Sequence, residues 1–303
     1  YPDSMRVVEG FTSDLDQDRY KVLIVKYNPN GVILWVKHLG TMHLGSEKIL
    51  IKTDLLSNVY VVGPFNFNTF STNVDSIALN NVCANTIVKY DSTGKTIYTK
   101  CIVRDYEIYE MCSMATDNKG NVYVVGDGFT TTTYDSITLK SVDKWNSFII
   151  GMSPEGNNLW AKDFEGSANS VTTDVSGNVY VGGSIRDSSV VEINQGKGNV
   201  LSELFLLKYN HRGRMLWAKR AKGVSVSSVS TDESGNVYVA GEFYSRSVVF
   251  DSITLNSPDP ANIFLLKCAE NGNTLWARLG QGVYRYKRNF LTGDSLNTTN
   301  AIC

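Results

Sequence analysis

Five aspartates stand at equivalent places along the chain: Asp54, Asp117, Asp174 and Asp232 each follow a threonine, and Asp294 ends a related segment. Five carboxylates around one centre could bind a cation or act as general acid and base. An aspartate at the head of a turn also accepts hydrogen bonds from the backbone that follows it. Recurrence in one local context favours the turn, because catalysis needs groups set to different roles by different environments. Asp14, Asp16 and Asp18 alternate in the run DLDQD, a pattern that can supply oxygen ligands to calcium. The run lacks the glycine and the terminal glutamate of a full calcium loop, so a solvated acidic loop is the competing reading. Calcium is the one candidate metal, and no other cofactor is expected.

Other reactive groups are scattered. His38, His43 and His211 fall on strand ends or in loops, with no nucleophile at a motif spacing. The segment Tyr284, Arg285, Tyr286, Lys287, Arg288 combines aromatics with cations and has no counterpart elsewhere. It suits contact with a partner or a glycan, or it forms a solvated loop. An aromatic recurs at Trp35, Tyr98, Trp160, Trp217 and Trp276, either as a set of sugar platforms or as packing between neighbouring repeats. The five cysteines show no close pair with metal-ligand spacing.

The elements that must position these groups are repeats. SNVYVVG (Ser57 to Gly63) returns as GNVYVVG, GNVYVGG and GNVYVAG, ending at Gly126, Gly183 and Gly241. A period near 60 fits a four-stranded propeller blade with long loops. Strand A is short and ends at the Asp. Strand B is NVYVxG, strand C resembles LFLLKYN (Leu204 to Asn210), and strand D resembles LWAK (Leu216 to Lys219). The C–D turns NPNG, DSTG, SPEG, NHRG and AENG each end in a glycine suited to a left-handed position.

The N-terminus supplies B, C and D of a first blade. Asn289 to Asn297 has the position and pattern of its missing strand A. The expectation is therefore all-β: one closed five-bladed propeller over 1–303, four antiparallel strands per blade, the ring closed by a C-terminal inner strand. The blades span 3–40 with 289–297, then 46–104, 109–165, 168–222 and 225–280. Closure protects sheet edges that an open array would expose.

Composition is that of an ordinary globular protein, 42% hydrophobic and 19% charged. A net charge of -1 gives no electrostatic case for nucleic acid or an anionic membrane. No apolar run is long enough for a transmembrane helix, so no membrane insertion is expected. The sequence opens at Tyr1, as expected of a processed chain or a part of a longer gene product.

DSITL (Asp135 to Leu139 and Asp251 to Leu255), FLLKYNxxGxxLWAK, a Thr-Asp and SGNVYVxG together resemble the SBBP repeat, a β-propeller repeat of large secreted and cell-surface bacterial proteins. The match covers nearly the whole chain. That family is named for seven blades, whereas five are counted here. The resemblance implies a secreted or cell-surface location but no particular activity, since propellers host many.

The expected inner strands, ILIKT, MCSMAT, SVTT, SVST and NFLT, hold no carboxylate before the terminal Asp. That argues against a paired-carboxylate glycosidase. The first functional reading is a non-enzymatic extracellular binding or assembly module presenting varied B–C loops. It could form part of a surface layer, appendage or filament, with other surface proteins or copies of itself as partners. The alternative is a lectin-like glycan-binding propeller, and a glycan-processing enzyme ranks third.

Cys83 and Cys101 are expected to form a disulfide. The DSTG turn (Asp91 to Gly94) makes strands C and D of the second blade a hairpin. Facing residues then have index sums near 185, and this pair gives 184. Cys112 is expected to be a small buried apolar residue on an inner strand. Cys268 is either free or joined to Cys303.

Overall fold

The structure, a computed structural model, describes residues 4–10, 19–43, 48–65, 83, 85–103, 110–128, 132–134, 137–139, 146–186, 202–258 and 262–280. Among the described residues every regular element is a β-strand. The first sheet is β1 (Ser4–Gly10), β2 (Arg19–Tyr27) and β3 (Ile33–His43), in that order. The second is β4 (Leu50–Thr53), β5 (Val59–Gly63), β6 (Asn85–Tyr90) and β7 (Thr96–Val103). The third is β8 (Glu110–Thr116), β9 (Val122–Gly128), β12 (Asn146–Met152) and β13 (Asn158–Glu165), with a separate two-stranded hairpin of β10 (Thr132–Tyr134) and β11 (Ile137–Leu139) between β9 and β12 in the chain. The fourth is β14 (Ser167–Thr173), β15 (Val179–Arg186), β16 (Ser202–Tyr209) and β17 (Met215–Lys222). The fifth is β18 (Val224–Thr231), β19 (Val237–Phe243), β22 (Asn262–Cys268) and β23 (Thr274–Leu279), with the hairpin β20 (Ser247–Phe250) and β21 (Ile253–Asn256) between β19 and β22. The sheets are antiparallel and follow the expected A, B, C, D order. The strand expected at 289–297 lies outside the described residues.

The chain divides into two compact units, Tyr1–Asp163 and Phe164–Cys303. The first carries sheets one to three, with β13 running just past the boundary, and the second carries sheets four and five. Within each unit the core lies between consecutive sheets. Val22, Ile24, Val59, Val61 and Val88 join the first sheet to the second. Tyr60, Ile87, Met114, Val124 and Ile150 join the second to the third. Leu204, Leu206, Val226, Val239 and Phe264 join the fourth to the fifth. Both faces of β5 are thus covered, and every residue of β5 and of β9 is buried. That is why strand B reads as a continuous apolar run rather than an alternating one.

The glycine that ends each strand B is required by space. A Cβ on Gly126 would stand 2.8 Å from Phe148 Cζ and 2.6 Å from the Glu110 carbonyl. Gly183 meets Phe205 and the Ser167 carbonyl in the same way, and Gly241 meets Phe264 and the Ser225 carbonyl. The inner strand presses close here because it carries an extra residue, shifting register at Met111/Ser113, Ala168/Ser170 and Val226/Ser228.

Each C–D turn closes with its glycine N–H donating to the first residue's carbonyl, as from Gly31 to Asn28 and from Gly213 to Asn210, both at 2.9 Å. The glycines lie at φ between 76° and 89°. Each turn shifts the following ladder by one residue, as between Lys89 and Tyr90. The shift moves the expected register of the second hairpin: Cys101 faces Thr86, an index sum of 187, so Cys83 lies beyond the ladder rather than opposite Cys101. The disulfide between Cys83 and Cys101 is nevertheless present, with Cα atoms 5.8 Å apart.

Candidate functional site

The repeated aspartates sit where strand A turns into strand B. Asp117 Oδ1 accepts from the Lys119 and Asn121 backbone N–H groups, both at 2.9 Å. Its Oδ2 accepts from Asn121 Nδ2 at 2.8 Å and from the Tyr123 hydroxyl at 3.1 Å. Asp54, Asp174 and Asp232 repeat the arrangement with Asn58 and Tyr60, Asn178 and Tyr180, and Asn236 and Tyr238. These four carboxylates are turn residues, and their lone pairs are used within the turn. The tyrosines belong to strand B, where burial, with the nearby carboxylate second, pushes the hydroxyl pKa values of Tyr60, Tyr123 and Tyr180 far up.

A lysine on strand C completes three of the four clusters, and sequence reasoning missed it. Lys89, Lys208 and Lys267 pair across the ladder with Tyr60, Tyr180 and Tyr238. Their ammonium groups stand 4.9, 5.0 and 4.7 Å from those ring centroids. Lys208 Nζ is 3.7 Å from Asp174 Oδ2, with both side chains almost fully buried. The Asn236 amide, helped by Lys267 and Tyr238, holds the Asp232 carboxyl well below the usual carboxylate range. The signal was legible as a lysine at the same place in VKYN, VKYD, LKYN and LKCA. In the third sheet Gly151 takes that place, and the Trp160 ring fills the space 3.1 Å from where its Cβ would be.

The same lysines reach across to the next sheet. Lys26 Nζ donates to the Ser92 carbonyl at 3.1 Å, Lys89 to Pro154 at 2.7 Å, and Lys208 to Glu270 at 3.1 Å. The strand-D aromatics pack between sheets as well. The Trp35 indole N–H donates to Ser92 and that of Trp217 to Glu270. Their rings cover Gly94 and Gly272, and Tyr98 covers Gly156.

One carboxylate does lie on an inner strand. β8 begins at Glu110, one residue earlier than expected, so the inner strands are not free of acids before the terminal Asp. The cause is the bulge after Met111, which keeps pairing alive to Glu110 and Asp127. Glu110 bridges to Lys48 at 3.3 Å, and Asp127 accepts from the Ser147 hydroxyl at 2.5 Å. Cys112 is half-buried at that bulge and reduced, its thiol pKa pushed far up by burial and by Asp127. Cys268 is buried and reduced. His38 lies on β3 and His211 in the fourth C–D turn, whereas the side chain of His43 lies outside the described residues. Asp14, Asp16, Asp18 and Tyr284 to Arg288 also lie outside the described residues. Among the described residues no group of three or more His, Cys, Asp or Glu is placed to hold a metal.

No protein-family profile matches the chain, and the SBBP resemblance rests on the motifs alone. An uncharacterized WD repeat-containing protein of Acanthamoeba polyphaga mimivirus is 27% identical over 84% of this chain. The chain spans about a quarter of that relative's length, 24%. Among solved structures, a Synechocystis apocarotenoid oxygenase mutant gives a TM-score of 0.41 at 11% identity, over 92% of this chain and 61% of its own. A Xanthomonas campestris gluconolactonase gives 0.34 at 11% identity, over 74% of this chain and 65% of its own. Four-stranded antiparallel repeats packed face against face, together with a WD-repeat relative, give the chain β-propeller and repeat character.

Proposed function

We propose that the chain is a closed five-bladed propeller serving as a non-enzymatic extracellular or cell-surface module for binding or assembly. Its partners would be other surface proteins or copies of itself in a layer, appendage or filament. The observation that carries this reading is where the recurrent polar groups are used. The described Asp, Tyr and Lys of each repeat are engaged in turns and in contacts between sheets, which leaves recognition to the connections that differ between repeats. The Cys83–Cys101 disulfide supports an oxidising compartment. Negative-stain imaging of native material, run beside a glycan array, tests the reading. Ordered assemblies or a protein partner support it. Selective glycan binding would move the assignment to a lectin, and turnover of a glycoside abolished by Glu110→Gln or Asp127→Asn would make it an enzyme.

A further inference from the structure

The A–B turn of the second sheet departs from its counterparts. It carries Leu55 and Leu56 where the third, fourth and fifth sheets carry Asn118 and Lys119, Val175 and Ser176, and Glu233 and Ser234. The two leucines are 79% and 78% exposed, the highest values for large apolar side chains among the described residues. The turn that carries them is firmly held. Asp54 Oδ1 accepts from the Leu56 and Asn58 N–H groups at 3.0 and 2.9 Å, and the Asp54 carbonyl accepts from the Ser57 N–H at 3.0 Å. The leucine pair is thus a fixed apolar knob facing water.

A corner of the first sheet departs in the same direction. From Asn28 to Val36 the chain reads NPNGVILWV, with no ionisable group, whereas the corresponding stretches of the other sheets carry Lys95, Glu155, Arg214 and Glu270. Val32 and Ile33 stand where the second sheet has Lys95 and Thr96 and the fifth has Asn273 and Thr274. Val32 and Ile33 are 59% and 55% exposed, and Leu34 and Val36 both 49%. A neighbouring sheet does not remove such exposure at the centre of the strip. The second sheet packs on both the first and the third, yet Ile97, in the place of Leu34, stays 45% exposed.

Both features lie at one end of the first unit. In the second sheet Thr53, Val59, Tyr90 and Thr96 form a row across all four strands, next to the A–B and C–D turns. Trp35, which lies within the aliphatic strip of the first sheet, packs on that C–D turn. Its ring is 2.9 Å from the Gly94 Cβ position, and its indole donates to the Ser92 carbonyl. Together the six aliphatic side chains offer on the order of 500 Å² of apolar surface, the size at which a patch marks an interaction site.

We propose that this end of the first unit is a self-association surface, on which the Leu55–Leu56 knob of one copy packs against Val32, Ile33, Leu34 and Val36 of a second copy. The second copy's knob packs on the first copy's strip in return. A knob and a strip on one surface satisfy each other under a two-fold axis. Neither element carries a charge, so two copies meet without like-charge repulsion, as the centre of an interface requires. Two such patches bury on the order of 1,000 Å², the lower bound for a specific protein contact. The inference rests on the self-assembly arm of the function proposed above and names its contact.

Sedimentation velocity of the full chain from about 1 to about 200 μM should show a dimer. Leu55→Asn with Leu56→Lys copies the third sheet's turn, and Val32→Asn with Ile33→Thr copies the fifth sheet's corner, so both variants should fold, as circular dichroism checks. Each removes one half of both symmetric contacts and should weaken dimerisation at least about tenfold. The pairing is read by mixing Leu56→Cys protein with Leu34→Cys protein and oxidising. Peptide mapping should find a 34–56 disulfide between chains in excess of either homodimer. A monomeric parent across the range, an unchanged dimer in both variants, or no excess of the 34–56 bond overturns the proposal. Binding of a monomeric parent to phosphatidylcholine vesicles, lost in the Leu55→Asn, Leu56→Lys variant, would assign the knob to a membrane and overturns it as well. Native-type assemblies that survive in that variant overturn this contact and leave the assembly reading standing. A dimer in solution with no higher assembly in native material does the reverse.

Discussion

Ser57 holds a left-handed backbone, φ 60°, where three sister turns place Gly120, Gly177 and Gly235 at 75° to 78°. An L-residue there is strained, and glycine is not. Ser57→Gly should therefore raise stability by about 0.5 kcal/mol, relief of strain being partly offset by a more flexible unfolded chain. Urea unfolding of the two proteins measures it. Gly241→Ala acts in the opposite sense, because its methyl would drive into the Ser225 carbonyl and the Phe264 ring. A loss of about 2–3 kcal/mol is expected on the same assay. Asp174 is the third case: its carboxylate satisfies the turn, Asn178 and Tyr180 while facing the buried Lys208. Asp174→Ala should cost about 2 kcal/mol, since it leaves the turn N–H groups and Asn178 without their acceptor and leaves Lys208 with Glu270 as its remaining carboxylate partner.

At the level of elements, strands A to D were legible because each repeats in composition and is bounded by turn residues. NVYVxG announced a strand buried on both faces, and the glycine of each C–D turn announced its geometry. Register was less legible. The one-residue shift at each turn is invisible in residue types, so an index sum of 185 became 187 and Cys83 moved off the ladder. The bulges that extend β8 to Glu110 were hidden for the same reason. The strand-C lysine was overlooked because a lysine in a strand reads as a solvated residue, and its role comes from the adjoining sheet. The hairpin β20–β21 carries a pH-dependent prediction. Asp251, at its turn, receives Lys219 Nζ and the Thr274 N–H, and the lysine lowers its pKa to about 2 against the partial opposition of burial. A depressed carboxylate pKa stabilises fully above the unfolded value near 4 and stops doing so as pH falls through about 2. Thermal melts of Asp251→Asn should thus fall below the parent at neutral pH and converge with it by about pH 2. The side chain is half-exposed, so screening keeps the neutral-pH difference under about 1 kcal/mol.

For the whole molecule, the cores lie between sheets rather than within them, so no sheet is stable on its own account. Within each unit a sheet covers a face of its neighbour, and an end sheet of an open stack would leave one apolar face in water. In a closed ring that exposure disappears, and the segment 289–297 would give the three-stranded first sheet the fourth strand that the others possess. Removing 289–303 would then strip an inner strand's ladder bonds and its packing against two neighbours. The effect should spread to the second and third sheets, because within the first unit neighbouring sheets share their buried cores. A fall in melting temperature of about 10 °C or more is expected for the truncated chain, followed by circular dichroism at 218 nm with the Cys83–Cys101 disulfide intact in both samples. Coincident melting curves for the full and truncated chains would remove the C-terminal strand from the closure.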